Sequence, residues 1–306
     1  MKKDKNSKKI GLPRVLIIGC GDVGMRILPL LGAQLQGNSS LPARAQFKVF
    51  ALTSQPERCQ ELRNAGAIPV VANLDDPASL ARLAGLASHI IYLAPPPSEG
   101  QKDTRSRHLA AVLSRRCRLV YISTSGVYGD CEGDFIDETR TVAPRNARAI
   151  RRVDAEQVWR RWARRTGSAL SILRVPGIYA ADRLPIERLK KRTPALLPIE
   201  DVYTNHIHAD DLARMTLKAL FHASSSRIYH ASDDSNLLMG DYFDLVAEKF
   251  NLPKAPRLPR YELVKQVNPM LLSFMSESRR LSNERIKAEL GVRLLYPSVR
   301  EGLAVI

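Results

Sequence analysis

The run Arg14-Val15-Leu16-Ile17-Ile18-Gly19-Cys20-Gly21-Asp22-Val23-Gly24 constrains this chain more than any other stretch. Branched apolar residues lead into glycines spaced G-x-G-x-x-G, and Met25 to Leu35 follows as an apolar helix. A strand, a tight turn and a helix in that order let backbone approach a pyrophosphate closely. The helix N-terminus then aims free N–H groups and a partial positive charge at it. This reading places Gly19, Gly21, Asp22, Val23 and Gly24 at a dinucleotide phosphate. The plainer alternative is a close-packed turn that holds no ligand.

The first half continues the same rhythm. Strands are expected at Phe47 to Leu52, Ile68 to Ala72, His89 to Leu93 and Leu119 to Ile122. Helices are expected at Pro56 to Ala65, Pro77 to Leu86 and Lys102 to Arg116, after a polar connection from Gly37 to Gln46. Such alternation is the pattern of an α/β fold, a doubly wound parallel sheet with helices on both faces. At the end of the second strand, where an acidic residue would read the ribose of NAD, stand Thr53, Ser54 and, further on, Arg58. Small hydroxyls and a guanidinium suit the 2′-phosphate of NADP better, so the cofactor is NAD(P) with a lean to NADP. Leu74, Leu93, Ala94 and Pro95, at or beyond later strand ends, are placed beside the same cofactor. Pro95-Pro96-Pro97 cannot continue a helix or central strand and is read as a rigid wall there.

Bulk properties narrow the partners. Of 306 residues, 47 are Lys or Arg and 31 Asp or Glu, a formal charge of +16 that favours anionic ligands. Aromatic content of 6% gives no stacking platform for single-stranded nucleic acid, and no nucleic-acid module is present in the sequence. Cys20, Cys59, Cys117 and Cys131 lack metal or disulfide spacing. No apolar run reaches about 18 residues, and the basic start has no apolar region behind it, so a cytoplasmic protein without a membrane segment is expected.

Beyond the fifth strand, Ser123-Thr124-Ser125-Gly126-Val127-Tyr128-Gly129 resembles the S-S-x-x-V-Y-G segment of the extended short-chain dehydrogenase/reductases, the NAD-dependent epimerase/dehydratases. Arg174-Val175-Pro176-Gly177-Ile178-Tyr179 resembles their R-x-x-N-V-Y-G-P element. Asn205 to Ala213 resembles F-V-H-V-x-D-V-A, and Ser278 to Gly291 resembles the C-terminal N-x-K-x-x-x-x-L-G stretch. The resemblance implies a Rossmann-type sheet over residues 13–174 and a smaller substrate-binding region over 175–306, after a flexible basic N-terminus at 1–12. It also implies a small anionic substrate such as a nucleotide sugar, a helix-mediated homodimer, and Thr124 and Pro176 at the nicotinamide end.

The family's chemistry rests on Tyr and Lys spaced Y-x-x-x-K on one helix face. Aligned on Pro144 and Glu156, this sequence has Arg148 where the Tyr belongs and Arg152 where the Lys belongs. Arginine keeps its proton near neutral pH and offers no acceptor, so Arg148 cannot act as the usual base. Arg152 can still donate to a cofactor ribose. The expected catalytic set is therefore Thr124, Tyr128, Arg148 and Arg152, with Tyr179, His206, His208, Asp210 and Asp211 as weaker alternatives whose simplest roles are structural. The other arginines between Arg145 and Arg165 are read as a solvated face. The functional expectation is an NAD(P)-binding oxidoreductase or epimerase of the atypical branch of this family. Its rival is a non-catalytic NADP(H)-sensing regulator that binds a protein partner.

Overall fold

The computed structural model of the chain describes residues 12–33 and 47–306. The N-terminus before Leu12, the expected helix end at Leu35 and the connection from Gly37 to Gln46 lie outside the described residues.

The first half contains β1 (Arg14–Ile18), α1 (Asp22–Ala33), β2 (Lys48–Thr53), α2 (Cys59–Asn64), β3 (Ile68–Val71), β4 (His89–Tyr92), α3 (Thr104–Val112) and β5 (Arg118–Thr124). Then come β6 (Phe135–Ile136), α4 (Ala147–Thr166), β7 (Ala169–Val175), β8 (Gly177–Tyr179), α5 (Ile186–Lys190), β9 (Ala195–Leu196), β10 (Tyr203–Thr204) and β11 (His206–His208). They are followed by α6 (Ala209–His222), β12 (Arg227–His230) and α7 (Met239–Lys249). Seven strands form one sheet in the order β12-β7-β5-β4-β1-β2-β3. All its pairings are parallel. The chain winds outward from β1 through β2 and β3, then returns to build the other half from β4. The crevice between β1 and β4 is therefore the topological switch point, where such sheets receive ligands.

Both faces of the sheet are covered, which is why its strands are apolar runs rather than alternating ones. On β1, Val15 and Ile17 join a core with Ile27, Leu212 and Leu217, while Leu16 and Ile18 join another with Tyr92, Tyr121 and Trp159. Trp159 and Trp162 of α4 meet edge to face at 5.5 Å, and the Trp159 indole donates to Ser106. A third core around Leu196, Phe243, Val246 and Leu263 belongs to the C-terminal region.

Several expectations are corrected. Pro77–Leu83 is a 3-10 helix rather than an α-helix, entered from the Asp76 side chain that caps Ala78. The basic helix is shorter than Lys102 to Arg116 because Asp103 caps it at Ser106 and the backbone turns extended at Leu113. The division at residue 174 is not a clean boundary. β12 completes the main sheet and α6 packs against α1, both from beyond that residue. On α4, Arg161, Arg164 and Arg165 are exposed as expected, whereas Arg151 is buried and donates to the Gly100 carbonyl at 2.6 Å.

Candidate functional site

The three glycines after β1 do three different things. Gly19 has φ +82°, and a side chain there would meet the Ala94 backbone nitrogen at 2.5 Å, so only glycine fits. A side chain at Gly24 would press on Cys20 Sγ at 3.0 Å and Leu93 at 3.3 Å, which sets the close packing of α1 on the sheet. At Gly21 a side chain would meet nothing within 4 Å. That open position faces a cleft of about 480 Å³, lined by this turn and by the ends of β2, β3 and β4. A tight turn, an open approach and a close helix contact are the three features a dinucleotide pyrophosphate needs of such a loop, so the residues fit that group. Burial pushes the Cys20 thiol up to about 11, leaving a neutral wall.

Asp22 and Val23 line the same cleft. The Asp22 carboxylate accepts from Arg26 at 2.8 Å and from Arg183 at 2.9 Å, which offsets its charge at the helix head. Thr53, Ser54 and Arg58 line the adjoining end, with Leu74, Leu93, Ala94 and Pro95. Thr53 Oγ1 accepts the Gln55 N–H at 3.1 Å and shapes the turn after β2. Arg58 donates to the Cys20 carbonyl at 3.0 Å and forks onto Glu61 at 2.9 and 3.1 Å. Arg105, unmarked in the sequence reading, donates to both oxygens of Asp75 and to the Pro95 carbonyl. It thereby pins two walls of the cleft to each other.

A second cleft of about 640 Å³ adjoins the first, and Leu93, Ile122, Ile178 and Arg183 line both. Thr124, Arg148, Arg152 and Pro176 are on its wall. Thr124 Oγ1 accepts the Gly126 N–H at 3.2 Å, so its own proton stays available to a ligand. Arg152 donates to the Ile122 carbonyl at 2.7 Å and to the Tyr121 hydroxyl at 3.0 Å. Arg148 stacks over Phe274 at 4.5 Å. Burial lowers its pKa from the usual arginine value; Glu277 opposes this, and Arg152 and Arg151 add to it. Helix α4 contains neither tyrosine nor lysine.

Tyr128 is a correction. It lines neither cleft and is buried, with Arg174 stacked on its ring at 4.8 Å. Its hydroxyl lies 2.5 Å from His230 Nε2 and accepts from Arg174 at 2.8 Å. The other His230 nitrogen faces the Ser282 carbonyl at 2.9 Å and must carry the proton, so Nε2 accepts from Tyr128. Burial raises the phenol to about 12. Arg174 is held in turn by both oxygens of Glu156, which also accepts from Ser123. This network ties β5, α4 and β7 together and leaves Tyr128 no proton to give a ligand.

The weaker alternatives also resolve. Tyr179 donates to the Ser298 carbonyl, and His208 caps α6 by accepting the Asp210 N–H. Asp210 pairs with Arg26 at 2.6 Å, and buried Asp211 accepts the N–H groups of Leu295 and Tyr296. His206 does line the second cleft, stacked on Tyr242 at 4.1 Å, with burial lowering it to about 3. The sequence reading missed Arg183, Arg188, Arg279, Phe274 and Glu277 on these walls. Only their long-range convergence marks them, and no spacing rule encodes it.

Residues 40–232 match the NAD dependent epimerase/dehydratase family. Among solved structures, a functionally unknown conserved protein from Silicibacter pomeroyi DSS is 27% identical, with TM-score 0.73 over 96% of this chain and 97% of that one. The UDP-glucose 4-epimerase of Thermotoga maritima, solved with UDP-glucose, is 18% identical with TM-score 0.73, covering 95% and 96%. DesIV, the dTDP-glucose 4,6-dehydratase of Streptomyces venezuelae with NAD and TYD bound, is 19% identical with TM-score 0.75, covering 95% of each chain. The last two likenesses speak to the fold. No curated protein matches the chain.

Proposed function

The chain belongs to the NAD-dependent epimerase/dehydratase family, and from that premise we propose that it holds a nicotinamide dinucleotide in the first cleft and acts on a substrate in the second. The reaction is that of an oxidoreductase or epimerase, and the substrate is nucleotide-sugar-like or another anionic carbonyl compound. The observation that carries this reading is the wall shared at Leu93, Ile122, Ile178 and Arg183, which makes a ligand in one cleft abut a ligand in the other. UDP-glucose in the Thermotoga structure, and NAD together with TYD in the Streptomyces one, support a dinucleotide in one cleft and a nucleotide-bearing ligand in the other.

In this proposal Gly19, Gly21 and Gly24 with the head of α1 receive the pyrophosphate, and Asp22 and Val23 border it. Thr53, Ser54 and Arg58 favour a 2′-phosphate, hence NADP, while Leu74, Leu93, Ala94 and Pro95 flank the cofactor. The cofactor supplies hydride transfer. Thr124 offers its hydroxyl proton to a substrate oxygen, Pro176 closes the facing side, and Arg152 holds positive charge near the ribose. Helix α4 brings no proton acceptor, and missing general acid–base catalysis typically costs about 10² to 10⁴ in rate. Turnover is therefore expected to be slow.

Titrating NADPH into the protein, then following NADPH oxidation with anionic carbonyl compounds and product formation from nucleotide sugars with the oxidised cofactor, tests the reading. One bound cofactor and slow turnover of one substrate class are expected. Saturated enzyme at micromolar concentration that turns over nothing would overturn it. The arginines at 148 and 152 favour one second reading, a sensor of cofactor redox state acting on a protein partner. A sensor must bind NADP and NADPH with different affinities, and equal affinities would end that reading.

A further inference from the structure

The second cleft is charged in a lopsided way. Among the described residues its wall carries Arg148, Arg152, Arg183, Arg188 and Arg279 against a single carboxylate, Glu277. Glu277 is already engaged, accepting from Arg279 at 2.9 Å and from Asn146 at 3.2 Å. Arg152 donates to Ile122 and Tyr121, Arg183 to Asp22, and Arg188 through Nη2 to the Pro194 carbonyl, its Nε being buried without a partner among the described residues. Arg148 differs. Among the described residues the exposed Arg148 makes no hydrogen bond or ion pair; its guanidinium lies over the Phe274 ring at 4.5 Å, with Glu277 the nearby opposite charge.

Its place is fixed as well. Arg148 lies one helical turn before Arg152 on the same face of α4. Arg152 reaches the carbonyl of Ile122, two residues before Thr124. Gly126 approaches Ala149 closely enough that a side chain there would touch it at 4.0 Å. Arg148 and Thr124 thus line the same cleft, with Arg148 in the first turn of a 20-residue helix whose N-terminus also favours anions. Nearby Nε of Arg279 is buried without a hydrogen-bond partner among the described residues, a further donor left unspent.

Resting on the proposed function above, we propose that Arg148 is a specificity residue for an oxyanion on the reacting end of the substrate. The substrate carries a carboxylate or phosphoryl group at the end that reaches Thr124, and the Arg148 fork binds it. The position that supplies a proton-transferring phenol elsewhere in the family here reads charge. Arg151 and Arg152 crowd this guanidinium with like charge that Glu277 opposes, and an anion with two acceptor oxygens fits its fork.

The test titrates NADP-loaded protein with UDP-glucuronate and UDP-glucose, which differ only at C6, a carboxylate against a hydroxymethyl group, and separately with oxalate and inorganic phosphate. UDP-glucuronate should bind about tenfold tighter or more, the scale of a charge-assisted pair. Arg148→Met should erase that preference, and Arg148→Lys should restore part of it, with NADP affinity reporting that each variant is folded. The stronger of oxalate and phosphate identifies the carboxylate or the phosphoryl group. Equal affinity for the two sugars, or a preference that survives in Arg148→Met, overturns the subsite and leaves the nucleotide-sugar reading standing. If neither sugar binds but oxalate or phosphate binds in an Arg148-dependent way, the subsite stands and the nucleotide-sugar reading falls. If no probe binds, both fall.

Discussion

Arg58 reaches the mouth of the first cleft with most of its donors committed. Glu61 takes Nε and Nη2, so the charge that would meet a 2′-phosphate is partly cancelled. Arg58 in turn holds the exposed Glu61 carboxyl below its ordinary range, so the carboxylate is ionised near neutral pH. Glu61→Gln is therefore expected to tighten NADPH about two- to fivefold, the range of an exposed ion pair, and to leave NADH unchanged. Calorimetry with both cofactors checks it. An equal gain for NADH would mean that Arg58 does not read the phosphate. The sequence shows Arg58 near the ribose position but not its partner's grip, because an i,i+3 pair constrains a side chain only once the helix has formed.

Elements were more legible than the cleft they build. The strand and helix alternation follows from local periodicity, and the main-sheet strands expected in the first half fall within a residue or two of their places. The second cleft draws on α4, α5, β10, α7 and residues 269–274, segments far apart in sequence that meet only through the fold. Charge patterning along α4 likewise could not separate buried Arg151 from exposed Arg161. The junction of β11, β12 and the segment after β12 carries a pH signature of its own. Burial raises Asp233 to about 8, and it lowers His206 to about 3 and His230 to about 4. Asp233 Oδ2 has no partner among the described residues, which suits a protonated carboxyl.

Between the histidines' native values and their unfolded value of about 6.5, the unfolded chain binds more protons, so stability is lost as pH falls through that window. For Asp233 the native state binds more protons between about 3.9 and 8, so stability is lost as pH rises toward 8. These two histidines, joined by His89, His208 and His222, which burial also lowers, outweigh the aspartate below about 6.5, and the aspartate sets the slope from there toward 8. Melting temperature should therefore peak near pH 6.5, and Asp233→Asn should flatten the alkaline side. Thermal melts across pH decide the matter; an alkaline limb identical in the variant would contradict the protonated Asp233.

At the scale of the whole molecule, a parallel sheet with its switch point between β1 and β4 places two adjoining clefts along one edge. A formal charge of +16 and five arginines on the second cleft draw anionic ligands toward that edge. Everything proposed for the second cleft depends on the first one holding a dinucleotide. Gly19 and Gly21 separate fold from function there. Gly19→Ala is expected to cost about 2 kcal/mol of stability or more, from its positive φ and the contact with Ala94. Gly21→Ala adds a methyl to open space and should fold normally while blocking the approach of a pyrophosphate. The most direct measurement is a calorimetric titration of NADPH into wild-type and Gly21→Ala protein, with a thermal melt of each. The account predicts saturable one-to-one binding to wild type, a melt unchanged in Gly21→Ala, and affinity weakened about tenfold or more in that variant. Wild-type protein that does not saturate, or a Gly21→Ala variant that binds NADPH as well as wild type, would contradict it.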